Sequence, residues 1–391
     1  MKSLFRKIYL AIRTVFGFLC RLFFPIRKGT ILCWSYSGSR YACNPRYITE
    51  YIIDNSNRYT LYYSMQQQSC RAKIPDRVKI CRHGSLRFIF LLNTVEFIIT
   101  NARLQSVEIL SWRKRTGQKY VQTWHASIDI KKIEADAQDV LSKRYVLRAH
   151  EDSNRCDLML SGCDFHSQVI RKAFWYDGEI LEKGTPRNDI LFDALHSAEL
   201  RKKITRRYGI PAGSKILLYA PTFRADHNMQ YYRLEWPKII EVLKRRFKSD
   251  IRVLLRLHPN MMSRVEDVSQ LINSPYVSNA TYYDDMQELL AASDILLTDY
   301  SSSVFDMALT RKPCFIYAPD YATYDRGTYM PLNTLPFPFS QTEDDLLAAI
   351  EAFDIDTYCA TLSHFLDNTL HAFEQGHACQ ALFEWVESHS V

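Results

Sequence analysis

A chain of 391 residues with 47% hydrophobic and 24% charged side chains has the composition of a globular protein and the length for two domains. Only 12 Gly and 14 Pro argue against long disordered stretches. The formal charge of +7 resides in the first 28 residues, which hold Lys2, Arg6, Lys7, Arg13, Arg21, Arg27 and Lys28 and no acid. The remainder balances at 43 basic against 43 acidic residues, which excludes a general polyanion binder and so a nucleic-acid partner.

The basic residues of that segment alternate with Leu4, Phe5, Ile8, Tyr9, Leu10, Ile12, Val15, Phe16, Phe18, Leu19, Leu22, Phe23 and Phe24. At a helical step the cations fall within an arc of roughly 160°, leaving the rest apolar. Arg6, Lys7, Arg13 and Arg21 interrupt the run, so residues 1–28 read as a basic amphipathic helix lying in an anionic membrane interface, not as a span. A helix packed on the domain is the alternative. A signal peptide would need an uninterrupted apolar core and a small-residue cleavage site, and neither is present. The expectation is a peripheral protein of the cytoplasmic membrane face.

Downstream, short apolar runs alternate with amphipathic stretches, the pattern of parallel α/β sheets. Strands are expected at Thr30–Trp34, Tyr59–Ser64, Val78–Cys81, Phe97–Thr100, Tyr120–Trp124, Leu158–Leu160 and Ile180–Glu182, with a buried helix at Leu86–Leu92. Ala194–Tyr208 reads as a charged helix ended by Gly209-Ile210-Pro211. A second series follows at Lys215–Ala220, Ile251–Leu257, Tyr276–Ala280, Ile295–Thr298 and Cys314–Tyr317. Helices Asp344–Phe353 and Tyr358–Val386 close the chain. The reading is α/β, with two Rossmann-like domains facing across a cleft: 29–188 for the acceptor, 189–340 for the donor, and helices over 341–391. The ten cysteines include no C-x-x-C pair, so zinc-site spacing is absent and free thiols are expected.

Three polar motifs hang on the ends of these runs: Gln122-Thr123-Trp124-His125, Arg256-Leu257-His258-Pro259, and Thr298-Asp299-Tyr300-Ser301-Ser302-Ser303-Val304-Phe305-Asp306. Ligands of open α/β sheets sit beyond the carboxyl ends of the strands. Ser301–Leu309 reads as a helical run whose serines, with Ser303-x-x-Asp306 as a capping box, open it. Its free N–H groups would suit a phosphate. A histidine at a strand tip can donate to a phosphate oxygen or take a proton from a hydroxyl. Tyr219-Ala220-Pro221-Thr222-Phe223-Arg224 adds a hydroxyl and a guanidinium. Arg187, in Gly184-Thr185-Pro186-Arg187-Asn188-Asp189, is a bidentate phosphate candidate. Each is, taken singly, equally an ordinary turn or cap. The absence of G-x-x-x-x-G-K-[ST], a clean G-x-G-x-x-G and G-x-S-x-G argues against nucleotide triphosphatase, dinucleotide oxidoreductase and α/β-hydrolase activities.

Together these motifs resemble the CDP-glycerol glycerophosphotransferase family of teichoic-acid and capsular-polymer primases and polymerases. The family's Trp-His-Gly-Thr segment appears as Trp124-His125-Ala126-Ser127, followed by Lys131-Lys132. The Gly-x-Pro-Arg-x-Asp, Ala-Pro-Thr-Phe-Arg, His-Pro and Asp-Tyr-Ser-Ser elements follow in order. The resemblance implies a GT-B fold, peripheral membrane attachment and chemistry without a metal or other cofactor. It implies His125 as general base for an acceptor hydroxyl that attacks the β-phosphorus of CDP-glycerol and expels CMP. His258, Arg187, Pro221, Thr222, Arg224, Ser301 and Ser302 would hold the donor, with Asp306 nearby. A lipid-linked saccharide or a growing polymer is the implied acceptor. Ala126, Ser127 and Ile128 depart from the family's Gly-Thr-Pro, which keeps CDP-ribitol or another CDP-alcohol open as donor. A nucleotide-sugar glycosyltransferase of the same fold, or a binding protein that has lost catalysis, are the competing readings.

Overall fold

The computed structural model describes residues 2–66, 74–224, 228–258, 271–272, 274–324 and 327–390, with side chains from residue 7 onward. Pro259 and Cys70 lie outside the described residues. The chain divides into two units: Met1–Ser127 with Ile133–Asp189 and Phe373–Val391, and Ile128–Lys132 with Ile190–Ala372.

In unit 1 the strands are β1 (Arg27–Trp34), β2 (Thr60–Met65), β3 (Lys79–Arg82), β4 (Val95–Thr100), β5 (Lys119–Gln122), β6 (Leu158–Leu160) and β7 (Glu179–Leu181). The helices are α1 (Lys2–Phe23), α2 (Cys43–Asn55), α3 (Leu86–Thr94), α4 (Ser106–Ser111), α5 (Lys143–Ser153) and α6 (Asp164–Ala173). The sheet runs β3-β2-β1-β4-β5-β6-β7, with every pairing parallel. Its strands are continuous apolar runs because both faces are covered. Ile31, Cys33, Phe97, Ile99 and Val121 point into one core, and Leu32, Trp34, Ile98 and Tyr120 into the other. This is the alternation that a strand imposes.

In unit 2 the helices are α7 (Ala194–Tyr208), α8 (Trp236–Phe247), α9 (Met286–Ala292), α10 (Ser303–Ala308), α11 (Glu343–Glu351) and α12 (Ile355–His364). The strands are β8 (Lys215–Tyr219), β9 (Ile251–Leu255), β10 (Val277–Asn279), β11 (Ile295–Thr298), β12 (Cys314–Tyr317) and β13 (Phe339–Ser340). The order is β10-β9-β8-β11-β12-β13, again all parallel. Gly209 ends α7 in the left-handed region, where the lack of a Cβ removes the steric cost.

Several sequence expectations are corrected. The long closing helix Tyr358–Val386 is broken after α12 by a π turn over Phe365–Thr369, and helicity resumes in α13 (Ala378–His389). The break lies where the chain leaves unit 2: Phe373 N donates to Gly162 O at 2.8 Å, and α13 joins the unit 1 core through Leu382, Trp385 and Val386. The helices after residue 340 are therefore shared between the units. β5 stops at Gln122, two residues early, because Trp124 adopts a φ of 51°. The two-residue strand β13 was not anticipated.

α1 is helical as expected, but its orientation differs from that of a helix free at an interface. It packs on α3 and α4, and a Cβ on Gly17 would lie 2.0 Å from Ser111 O, so only glycine permits the approach. Arg21 donates to Asn93 Oδ1 (3.1 Å) and Ser111 O (3.3 Å), and Arg13 is half-buried. Two of the basic residues thus face the domain. Ile8, Ile12, Val15, Leu19, Leu22 and Phe23 point outward, the last two 64% and 69% exposed. No helix among the described residues is long and apolar enough to cross a membrane.

Candidate active site

In unit 1 the strand order reverses between β1 and β4, so the loops after these strands flank the crevice that such sheets use for ligands. After β1, Tyr36, Ser37 and Gly38 are successively left-handed (φ 48°, 53° and 81°). The loop is tied to the one after β4, for Tyr36 N donates to Asn101 Oδ1 at 2.8 Å. His125 follows β5, the next strand along. Its Nδ1 lies 2.9 Å from Asn101 O. A carbonyl only accepts, so Nδ1 carries a proton, and in the neutral ring the lone pair is on Nε2. The ring is further fixed by Trp124 (centroids 4.4 Å apart) and by the edge of Tyr36 (5.9 Å).

The loop after β7 closes the same edge. Arg187 is buried and donates through Nη1 to the carbonyl oxygen of His125, while its own N–H donates to Asn44 Oδ1 at 2.9 Å. Asn44 Nδ2 in turn donates to the carbonyls of Thr123 (3.1 Å) and Trp124 (3.0 Å). The backbone around His125 is therefore held from two sides. His166 on α6 is fully buried; desolvation, and then the charge of Arg187, push its imidazole down to about 3, so it stays neutral.

In unit 2 the reversal falls between β8 and β11. Thr222 N, after β8, donates to both carboxylate oxygens of Asp299, after β11, at 2.9 and 3.0 Å. Arg224 sits between Asp299 (Nη1–Oδ2 2.9 Å) and Asp320 (Nε–Oδ2 2.5 Å, Nη2–Oδ1 3.1 Å). Burial alone would lower the arginine's pKa, but the two carboxylates raise it above its ordinary value. Tyr300 donates to Asp320 Oδ1 at 3.1 Å and stacks on Tyr324 at 3.7 Å. His258 follows β9, the strand beside β8; it is exposed, with the Phe223 ring 6.1 Å away.

The sequence-derived candidates thus fall into distinct groups. Pro221, Thr222, His258, Ser301 and Ser302 lie at the carboxyl edge of the unit 2 sheet. Arg187 belongs to unit 1, beside His125. Arg224 is engaged in an ion cluster with the buried Asp299 and Asp320. Asp306 is buried on α10 and accepts from Gln287 Nε2 at 3.0 Å. The capping box expected at Ser303 and Asp306 does not form. Ser302 is the N-cap residue without a side-chain cap bond, and Ser301 Oγ meets Ser303 Oγ at 2.8 Å instead. Asn44, Asn101, His166 and Asp320 escaped sequence reading, and Asp299 was read only as part of the third motif. Asp299 and Asn101 carried a local signal, each standing directly after a buried strand. No group of three His, Cys, Asp or Glu fit to hold a metal occurs among the described residues.

Two parallel-sheet units, each bearing a histidine beyond the carboxyl end of its sheet, define a group-transferring α/β enzyme. The chain belongs to the CDP-glycerol:poly(glycerophosphate) glycerophosphotransferase family, whose profile matches residues 17–388. A teichoic acid poly(glycerol phosphate) polymerase of Bacillus spizizenii is 30% identical over 362 residues, covering 89% of this chain and 88% of that protein. A teichoic acid glycerol-phosphate primase of Bacillus subtilis is 26% identical over 398 residues, 99% of each chain. The chain spans 45% of the length of a teichoic acid poly(glycerol phosphate) polymerase of Bacillus subtilis, to which it is 28% identical. The solved wall teichoic acid polymerase TagF matches with a TM-score of 0.81 at 27% identity, over 98% of this chain and 95% of that one. A variant of it soaked with CDPG gives 0.82.

Proposed function

We propose that this protein transfers glycerol phosphate from CDP-glycerol to a hydroxyl of a membrane-lipid-linked saccharide or of a growing teichoic-acid-like polymer, releasing CMP. The observation that carries the proposal is the fixed tautomer of His125. With Nδ1–H committed to Asn101 O, Nε2 is the ring nitrogen left to act as base at the carboxyl edge of the sheet. It takes the acceptor's proton as that oxygen forms a bond to the β-phosphorus. The bond from that phosphorus to the bridging oxygen breaks, and the electron pair leaves with CMP. His258, Thr222, Pro221, Ser301 and Ser302 are assigned to the donor's diphosphate and polyol. Fixed donors at developing charge are the main lever of phosphoryl transfer, and here they replace a metal ion. Arg187 and Arg224 act indirectly, the first by holding the His125 backbone, the second by holding Asp299 and hence Thr222.

The outward apolar row of α1 supports attachment to a membrane surface, because so large an exposed stripe is unusual on a protein without a partner. Its anionic character is supported by Lys7 and Lys28, which are exposed.

Calorimetric titration with CDP-glycerol, CDP-ribitol and UDP-N-acetylglucosamine, without metal, tests the donor assignment. Selective binding of CDP-glycerol is expected. Preference for CDP-ribitol changes the polyol, a reading favoured by the relatives that are ribitol-phosphate polymerases at 23–24% identity. Preference for the UDP-sugar, or no binding, overturns the proposal. His125→Ala is expected to lower turnover by roughly 10²–10⁴-fold while sparing donor binding.

A further inference from the structure

The motif Gly184-Thr185-Pro186-Arg187-Asn188-Asp189 is built by the far end of the chain. Glu374, in the segment that returns to unit 1, is buried. Its Oε1 accepts from Thr185 Oγ1 (2.8 Å), Thr185 N (3.1 Å) and Asn188 Nδ2 (3.0 Å), and Oε2 also meets Thr185 N at 3.1 Å. Asn188 Nδ2 reaches on to Ser127 Oγ at 3.5 Å, two residues after His125. Two glycines make room for this carboxylate. A Cβ on Gly184, whose φ is +85°, would lie 2.5 Å from Glu374 Oε2; one on Gly162 would lie 3.0 Å from Oε1 and 2.5 Å from Ser127 Cβ. At the other end of the motif, Asp189 accepts from the N–H groups of Ala378 (3.0 Å) and Cys379 (2.7 Å), at the start of α13. The loop is thus clamped before and after Arg187 by residues almost two hundred positions away.

We propose that Glu374 is a positioning residue for catalysis, fixing the 184–189 loop so that Arg187 holds the backbone of His125. The inference rests on His125 being the base. A carboxylate, and no neutral apolar group, suits this place because three donors converge on it, and removing it takes away the acceptor of the buried Thr185 N–H and Oγ1–H and one acceptor of Asn188. Thr185 and Asn188 would then seek other partners, and Arg187, between them, would lose its aim. Displacements of about 1 Å at such a group cost on the order of 10²-fold in rate.

The test is steady-state kinetics of the full chain with CDP-glycerol, beside His125→Ala as reference. Glu374→Leu, similar in size and without an acceptor, is expected to lower kcat by roughly 10- to 100-fold with the KM for CDP-glycerol unchanged, since that substrate is assigned to unit 2. Glu374→Gln keeps the Oε1 acceptor and is expected to recover most of the loss. If Glu374→Leu fails to fold, Thr185→Val removes only the 2.8 Å contact and is expected to lower kcat several-fold in the same selective way. In an Arg187→Lys background the effect of Glu374→Leu should shrink, because both changes act through one contact. Wild-type kcat in folded Glu374→Leu, a rise in KM matching the loss, or full additivity with Arg187→Lys overturns the inference. If His125→Ala keeps full turnover, the catalytic reading itself has failed. If His125→Ala is inactive and Glu374→Leu is not impaired, only the role of Glu374 has.

Discussion

The buried imidazole of His166 makes a quantitative prediction about acid stability. Its folded pKa of about 3 lies below the value near 6.5 that it regains on unfolding. The unfolded chain therefore binds the proton first, so the stability is fully present above pH 6.5 and is lost as pH falls from there toward 3. The slope cannot exceed about 1.4 kcal/mol per pH unit for one group. Between pH 7.5 and pH 5 this histidine alone should remove about 2 kcal/mol. Other groups titrate in the same range, so the decisive quantity is a difference. Urea unfolding of wild type and His166→Phe, which keeps an aromatic ring but cannot titrate, should give stability curves that converge as pH falls. The variant should lose about 2 kcal/mol less over that interval. Parallel curves would refute the reasoning, because they would mean that the ring is protonated in the folded state or solvated in it. The consequence reaches the site, since a charged imidazolium would face Arg187 beside His125.

Three further predictions follow from the two sheet edges and α1. Replacing Arg224 by Met leaves Asp299 and Asp320 buried without a cation, and unfolding should show a loss of about 3–5 kcal/mol; unchanged stability would instead mean an arginine held in reserve for ligand. His258→Ala should weaken CDP-glycerol binding in calorimetry at constant melting temperature, because the side chain is exposed; unaltered affinity removes it from the donor site. The double change Ile12→Asp with Leu19→Asp places charge on the outward face of α1, leaves its contacts to α3 and α4 intact, and should abolish sedimentation with anionic liposomes. Continued sedimentation would assign membrane attachment to another surface.

The strands were legible because parallel sheets covered on both faces need uninterrupted apolar runs, such as Val95–Thr100, every residue of which is buried. His125 and His258 stood out for a related reason: a polar motif directly after such a run marks the end of the sheet where ligands bind. What stayed hidden depends on partners remote in sequence. Arg224 reads as an exposed cation until Asp320 is seen beside it, 96 residues on. Glu374 lies in a tail whose sequence reads as continuous helix, 189 residues from Thr185. The direction of α1 was hidden too, because its periodicity defines two faces without saying which is covered. Gly17, small enough to pass close to Ser111, was the residue that marked the covered side.

The departure after the base, Ala126-Ser127-Ile128 in place of Gly-Thr-Pro, can now be judged by its backbone. The left-handed residue in this turn is Trp124; Ala126, Ser127 and Ile128 are not left-handed, and all three are buried. Nothing at position 126 therefore requires glycine, and the alanine restricts the unfolded chain at no steric expense in the fold. Ser127 retains a hydroxyl, which Asn188 Nδ2 meets at 3.5 Å. The departure thus leaves intact the features that bear on chemistry, and it gives no ground for a different donor. Ala126→Gly should destabilise the protein by about 0.4–1 kcal/mol through the unfolded state and leave the ratio of CDP-glycerol to CDP-ribitol affinities unchanged. A variant that switched its preference between the two polyols would show that the shape of this turn, and not the groups of unit 2, selects the donor.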